Sequence, residues 1–134
     1  MTTAPTAAAD TDAFDPIEME VFSNRLLSIT EEMGNTLIRS SFSSNIKERK
    51  DCSVALFDAA GRLVAQAAHV PVHLGSLSGG IDAVLRRYGA AGIRPGDAFL
   101  CNDAYLAGGT HAPDITVVSP IFFDGVLRLS LIHI

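Results

Sequence analysis

Between Asp15 and Ser40 the apolar side chains Phe22, Leu26, Ile29, Met33 and Leu37 recur in steps of four, three, four and four. That spacing marks one face of an α-helix. Asp15-Pro16-Ile17-Glu18 sets its start: Asp15 can cap, Pro16 suits the first helical position, and Glu18 stands three residues after the cap. The helix is predicted to run to Arg39 or Ser40, with its stripe turned to a core or a subunit interface. Ser40–Asn45 (SSFSSN) reads as a polar loop whose side chains bond their own backbone. Two apolar runs, Cys52–Phe57 and Arg62–Ala67, then flank Asp58-Ala59-Ala60-Gly61, the pattern of a β-hairpin. In His69–Leu74 (HVPVHL), Pro71 predicts an edge strand or a loop.

Leu77, Ile81, Val84, Leu85 and Tyr88 mark a second amphipathic helix, capped by Ser76 or Ser78 and stopped by Gly89. Gly79 and Gly80, early in that helix, each cost roughly 1 kcal/mol relative to alanine. A helix tolerates such residues where its backbone must approach something closely. Arg94–Asp97 reads as a turn and Ala98–Cys101 as a short strand. Ile115–Phe123 and Val126–Ile134 flank Asp124-Gly125, a strong two-residue hairpin signal. The predicted class is α+β: an N-terminal amphipathic helix, a β-hairpin, a second helix, then mixed strands. The regular alternation of a doubly wound fold is missing.

Composition narrows the function classes. The chain has 134 residues, 48% of them apolar and 19% charged, and a formal net charge of −5. That is globular rather than disordered. It argues against a nucleic-acid partner, which needs clustered Lys and Arg. Lys47, Arg49 and Lys50 cluster, but Glu48 and Asp51 lie among them. Cys52 and Cys101 show no metal or redox spacing, read as buried structural thiols, and suit a reducing, cytoplasmic compartment. No stretch has the length of a transmembrane helix. Residues 1–14 read as a disordered leader.

Candidate chemistry gathers in Cys101–Asp114 (CNDAYLAGGTHAPD), a loop leaving one strand and entering another. It carries Asp103, His111 and Asp114, with Pro113 stiffening the backbone beside Asp114 and Gly108-Gly109 permitting sharp bends. Imidazole and carboxylate together suit Zn, Mn or Fe(II). The competing reading is plain turn chemistry around a solvated histidine. His69 and His73 flank Pro71 and would share a face in an extended strand, so they could line a pocket or supply a ligand; the competing reading is hydrogen-bonded polar residues in a loop. In Asn45–Asp51 (NIKERKD), Arg49 or Lys47 could bind an anion, oriented by Glu48 or Asp51. The competing reading is a solvated surface turn.

Three blocks, DPIEMEVFSNRLLSITEEMG, RSSFSSNIKERKDCSVALFDAAGRLVAQAAHVPVHLGS and RPGDAFLCNDAYLAGGTHAPDITVVSPIFFDG, resemble in order the B-type subunit of the hydantoinase/oxoprolinase family. That family includes hydantoinases, 5-oxoprolinase and the acetone and acetophenone carboxylases. The resemblance implies an A-type partner subunit or domain that binds ATP and phosphorylates a small-molecule substrate. The B-type subunit then completes ring-opening hydrolysis of a cyclic amide, or carboxylation, at a divalent metal centre, within a hetero-oligomer. It implies that His111 and Asp114 are metal ligands, with Asp103 a weaker candidate beside them. Glu48, Arg49 and His73 are the candidate catalytic residues. No phosphate-cradling loop is present, in keeping with ATP bound by the partner.

Three departures stand out. Ala104 replaces the proline common after Asn-Asp, and Tyr105–Gly109 is one residue longer than the commonest version. Past Leu127 the chain reads RLSLIHI instead of an Asn-Arg-Ala-His-His-like segment. Residues 15–134 are therefore expected to be the N-terminal part of a longer domain, with about the last seven residues non-native. His133 is not counted as the missing ligand. These 134 residues alone are expected to be inactive. The alternative function is a non-catalytic small-molecule sensor module, which would bind its ligand without metal or ATP.

Overall fold

A computed structural model of the chain describes residues 15–68, 70 and 73–133. The element order is α1 (Pro16–Ser40), α2 (Ser44–Lys47), β1 (Ser53–Asp58), β2 (Leu63–Ala68), α3 (His73–Tyr88), a 3₁₀ turn (Ala90–Gly92), β3 (Phe99–Cys101), β4 (Thr116–Phe123) and β5 (Val126–His133). This is the expected α+β class. The strands form one five-stranded sheet in the order β2-β1-β5-β4-β3. Every pairing is antiparallel.

Local chemistry sets the elements. Asp15 Oδ1 accepts from Ile17 N at 2.9 Å and Pro16 stands in the first turn, so α1 begins where its cap and proline place it. In the first hairpin, Asp58 Oδ1 accepts from the amides of Ala60 and Arg62, each at 2.9 Å. Gly61 supplies φ +79° for the turn. In the second hairpin Asp124 and Gly125 sit at φ +51° and +71°, the paired left-handed conformations of a type I′ turn. Pro120 lies within β4 but beyond Val118, where pairing to β3 ends. Its missing N–H therefore leaves no ladder bond broken on that edge.

β1 is the hub. All of Ser53–Phe57 is buried, so the strand lacks the usual alternation. Ala55 and Phe57 pack with Leu77, Ile81 and Val84 of α3, together with Ile93, Val118 and Leu127. Val54 lines a groove with Ile29, Met33 and Leu37 of α1, on the opposite side of the strand. The sheet thus has a helix on each face around β1 and β2. The residues of α1 fully buried there are Thr30 and Gly34. Leu26, Met33 and Leu37 are half-buried, while Phe22 and Ile29 remain 56% and 47% exposed. The predicted apolar stripe is therefore only partly used in packing.

Three expectations need correction. The polar loop expected over Ser40–Asn45 gives way at Ser44 to the short helix α2. The second helix begins at His73, three residues before Ser76, and Ser76 Oγ donates to His73 O at 2.9 Å inside it. His73 is thus on a helix rather than in an edge strand or loop. Burial of His73, Ser76 and Leu77 on one side extends the helix backward past the serines. Pro71, on which the strand-or-loop reading rested, and His69 lie outside the described residues. Residues 126–133 form the central strand, between β1 and β4.

Candidate metal centre

The loop between β3 and β4 is closed by Asn102 Nδ2, which donates to Ala112 O at 3.0 Å. Within it, Asp103 Oδ1 accepts from the amides of Tyr105 and Leu106, both at 2.8 Å. Ala107 N donates to Asp103 O at 3.0 Å. Asp103 therefore folds the first half of the loop around its own carboxylate. The second half builds a different cluster. His111 Nε2 lies 2.6 Å from Asp114 Oδ1, and Thr110 Oγ1 donates to Asp114 Oδ2 at 2.6 Å. Asp114 N donates to His111 O at 3.2 Å, which makes the tight turn that brings the two side chains together. The Asp114 side chain is 14% exposed and that of His111 62%, so the pair opens outward through the imidazole.

A second histidine comes from α3. His73 is 2% exposed. Its Nδ1 lies 3.2 Å from Ser53 Oγ at the start of β1. Its Nε2 lies 3.7 Å from Asp51 Oδ1 and 4.0 Å from Asp114 Oδ2. Two carboxylates from distant points of the sequence thus flank one buried imidazole edge. Of the six candidates, His73, His111 and Asp114 are brought together. Asp103 is engaged in its own turn. Glu48 and Arg49 lie in the exposed turn after α2 and form no ion pair among the described residues.

Sequence reasoning missed Ser53 and Thr110, and weighed Asp51 only as a partner for a basic side chain. A signal was present in Ser53, a hydroxyl opening an otherwise apolar strand. Both cysteines are free. Burial pushes the thiols of Cys52 and Cys101 up, and the Asp51 charge adds to this at Cys52. Neither is a poised nucleophile.

As a donor set, His111 and Asp114 fit a borderline divalent ion. Among the described residues no three of His, Cys, Asp or Glu stand close enough to hold one. The pair by itself is two donors short of the four that a structural zinc site uses. An apolar groove of about 480 Å³ between α1 and Val54 includes none of these side chains. No described helix is long and apolar enough to cross a membrane.

Comparison with known proteins gives these residues a context. The chain is 48% identical over 118 residues to a 5-oxoprolinase of Pestalotiopsis fici, covering 88% of this chain and 9% of that protein. It is 47% identical over 113 residues to 5-oxoprolinase 1 of Arabidopsis thaliana, covering 84% of this chain and again 9% of the relative. The chain thus spans about a tenth of the length of these relatives. Among solved structures, the ATP-dependent caprolactamase of Pseudomonas jessenii matches with a TM-score of 0.77 at 29% identity, over 91% of this chain and 21% of that one. Nucleotide-free acetone carboxylase matches with a TM-score of 0.82 at 24% identity, over 90% of this chain and 16% of that one, and shares the fold. With residues 15–133 matching the family Hydantoinase B/oxoprolinase, the loop, the helix and the sheet that carry His73, His111 and Asp114 are those of a member, and the chain belongs to that family.

Proposed function

We propose that this chain is the N-terminal part of the B-type subunit or domain of an ATP-dependent enzyme that opens a cyclic amide, in the manner of 5-oxoprolinases and hydantoinases. The observation that carries this reading is the convergence of His111 Nε2 and Asp114 Oδ1 at 2.6 Å on an outward-opening turn. His111 and Asp114 would hold a divalent ion (Zn, Mn or Fe), with further ligands from outside the described residues. Such an ion supplies Lewis acidity toward a carbonyl and activates water.

The chain's own residues set the geometry. Thr110 holds Asp114 Oδ2, so Oδ1 stays turned to His111. Ser53 fixes the ring of His73, whose Nε2 faces both Asp51 and Asp114. In the reaction, water adds to the amide carbonyl, the C–N bond breaks, and a carboxylate and an amine remain. An unstrained cyclic amide resists this, which suits prior phosphorylation of the amide oxygen by an ATP-binding A-type partner in a hetero-oligomer; after water adds, that group leaves as inorganic phosphate. The identity of 48% to a 5-oxoprolinase, against 24% to acetone carboxylase, favours hydrolysis over carboxylation. The test is metal content of the complete polypeptide, wild type against His111→Ala. A loss of about tenfold or more in metal affinity is expected, since two or more protein ligands share the ion. Equal metal in both proteins would sink the reading.

A further inference from the structure

The contact between α3 and the loop that carries His111 and Asp114 is one that only glycine allows. A Cβ at Gly79 would lie 2.3 Å from Ala107 O, 2.8 Å from Ala107 C and 3.0 Å from Gly108 Cα. Packed atoms do not approach so closely, and the atoms met are backbone, which cannot rotate away. From the other side, Gly108 sits at φ +66°, and a Cβ there would stand 3.4 Å from Gly79 Cα. The helix cannot yield, because Leu77 and Ile81, on either side of Gly79, are each 1% exposed in the core. Any side chain at position 79 must therefore move the loop.

The same helix carries His73 at its first turn, 4.0 Å from Asp114 Oδ2. α3 thus meets the loop twice, at Ala107–Gly108 through Gly79 and at Asp114 through His73. Thr110, His111 and Asp114 lie on the chain just past the first contact. We propose that Gly79 is a positioning residue: it seats the Ala107–Gly108 backbone directly on α3 and so fixes where His111 and Asp114 stand relative to His73. The proposal rests on the reading of His111 and Asp114 as ion ligands. It gives a reason for a helix to keep glycine at a position where alanine would favour the helix by about 1 kcal/mol.

The fold supplies its own control. Gly75 lies one turn earlier in α3, and a Cβ there meets nothing within 4 Å. Gly75→Ala and Gly79→Ala make the same chemical change in the same helix, and only the second enters the loop contact. In the complete polypeptide, hydrogen exchange at the Ala107 and Asp114 amides and at the amides of β1 would be followed together with Mn²⁺ and Zn²⁺ affinity. In Gly79→Ala, faster exchange at the two loop amides and an affinity loss of about tenfold or more are expected. Exchange in β1 should match that of Gly75→Ala. Loop exchange and affinity indistinguishable from Gly75→Ala would overturn the proposal, and so would equal loosening of loop and β1.

If wild type and His111→Ala carry equal metal, the ion reading has failed by itself. The loop amides then decide alone whether Gly79 seats the loop. Should Gly79→Ala not fold, Gly108→Asn probes the same contact from the loop side, since asparagine accepts a left-handed φ. That variant meets Gly79 Cα only at 3.4 Å, so the deciding measurement is then a structure of the complete wild-type polypeptide. The Ala107–Gly108 backbone packed on Gly79 Cα is expected, and a loop standing off α3 at that point would overturn the proposal.

Discussion

Cys52 shows how one residue's surroundings set its chemistry. It is fully buried at the entry to β1, directly after the charged Asp51. Burial and then that charge push its thiol up, so the folded chain favours the neutral form. A group whose pKa is higher when folded contributes stability below its unfolded value, about 8.5 for a thiol, and loses it as pH rises. Between pH 8 and 10 the urea midpoint of the wild type should fall more steeply than that of Cys52→Ala. Parallel slopes would show that Cys52 does not couple to folding. The same burial predicts that iodoacetamide spares Cys52 at pH 7 until the chain unfolds.

At the scale of elements, the first hairpin shows a turn held by one carboxylate. The amide of Arg62 is the main cause that holds Asp58 below the usual carboxylate range, against some opposing burial. The Arg62 guanidinium, with Nε 2.6 Å from Oδ2, and the Ala60 amide add to it. A depressed folded pKa means stability present above the unfolded value, about 3.9, and lost as pH falls through the folded one. Asp58→Ala should lower stability at pH 6 by about 1 kcal/mol, as for the loss of a capping side chain. The gap to wild type should close as pH falls toward 2, measured as urea midpoints. A gap that stays constant would assign the loss to something other than the charged carboxylate. Helix ends obey the same local logic only in part: the Asp15 cap and Pro16 fix the start of α1, but burial of His73 and Ser76 moves the start of α3 upstream of its serines.

For the whole molecule, the open question is what covers α1. Ile17, Val21, Phe22, Leu27 and Ile29 are between 42% and 71% exposed along it. Large apolar side chains left exposed in this number drive association in isolated chains. The 134 residues produced alone should self-associate at micromolar concentration. The double variant Phe22→Glu, Ile29→Glu should be monomeric by analytical ultracentrifugation, with unchanged far-UV circular dichroism. Equal association of both proteins would place the cause elsewhere, for instance at the edge strands β2 and β3.

Much of this architecture is written locally. A cap with proline after it, a 3.6-residue stripe, the Asp58–Gly61 turn and the Asp124-Gly125 turn each act within a few residues. They determined α1, both hairpins and the α+β class, because hydrogen bonds and backbone sterics inside one turn suffice for them. The pairing of His111 with Asp114 was also legible, since three residues and a proline bring them together. What remained was non-local. That β1 is buried on both faces, that β5 enters between β1 and β4, and that His73 comes to rest between Asp51 and Asp114 depend on which elements pack together. The seat of Ala107 on Gly79 joins residues 28 positions apart. The sequence by itself determined the turns, α1 and the spacing of His111 and Asp114; only tertiary packing decided what those side chains face, because distance along the chain carries no information about close approach in space.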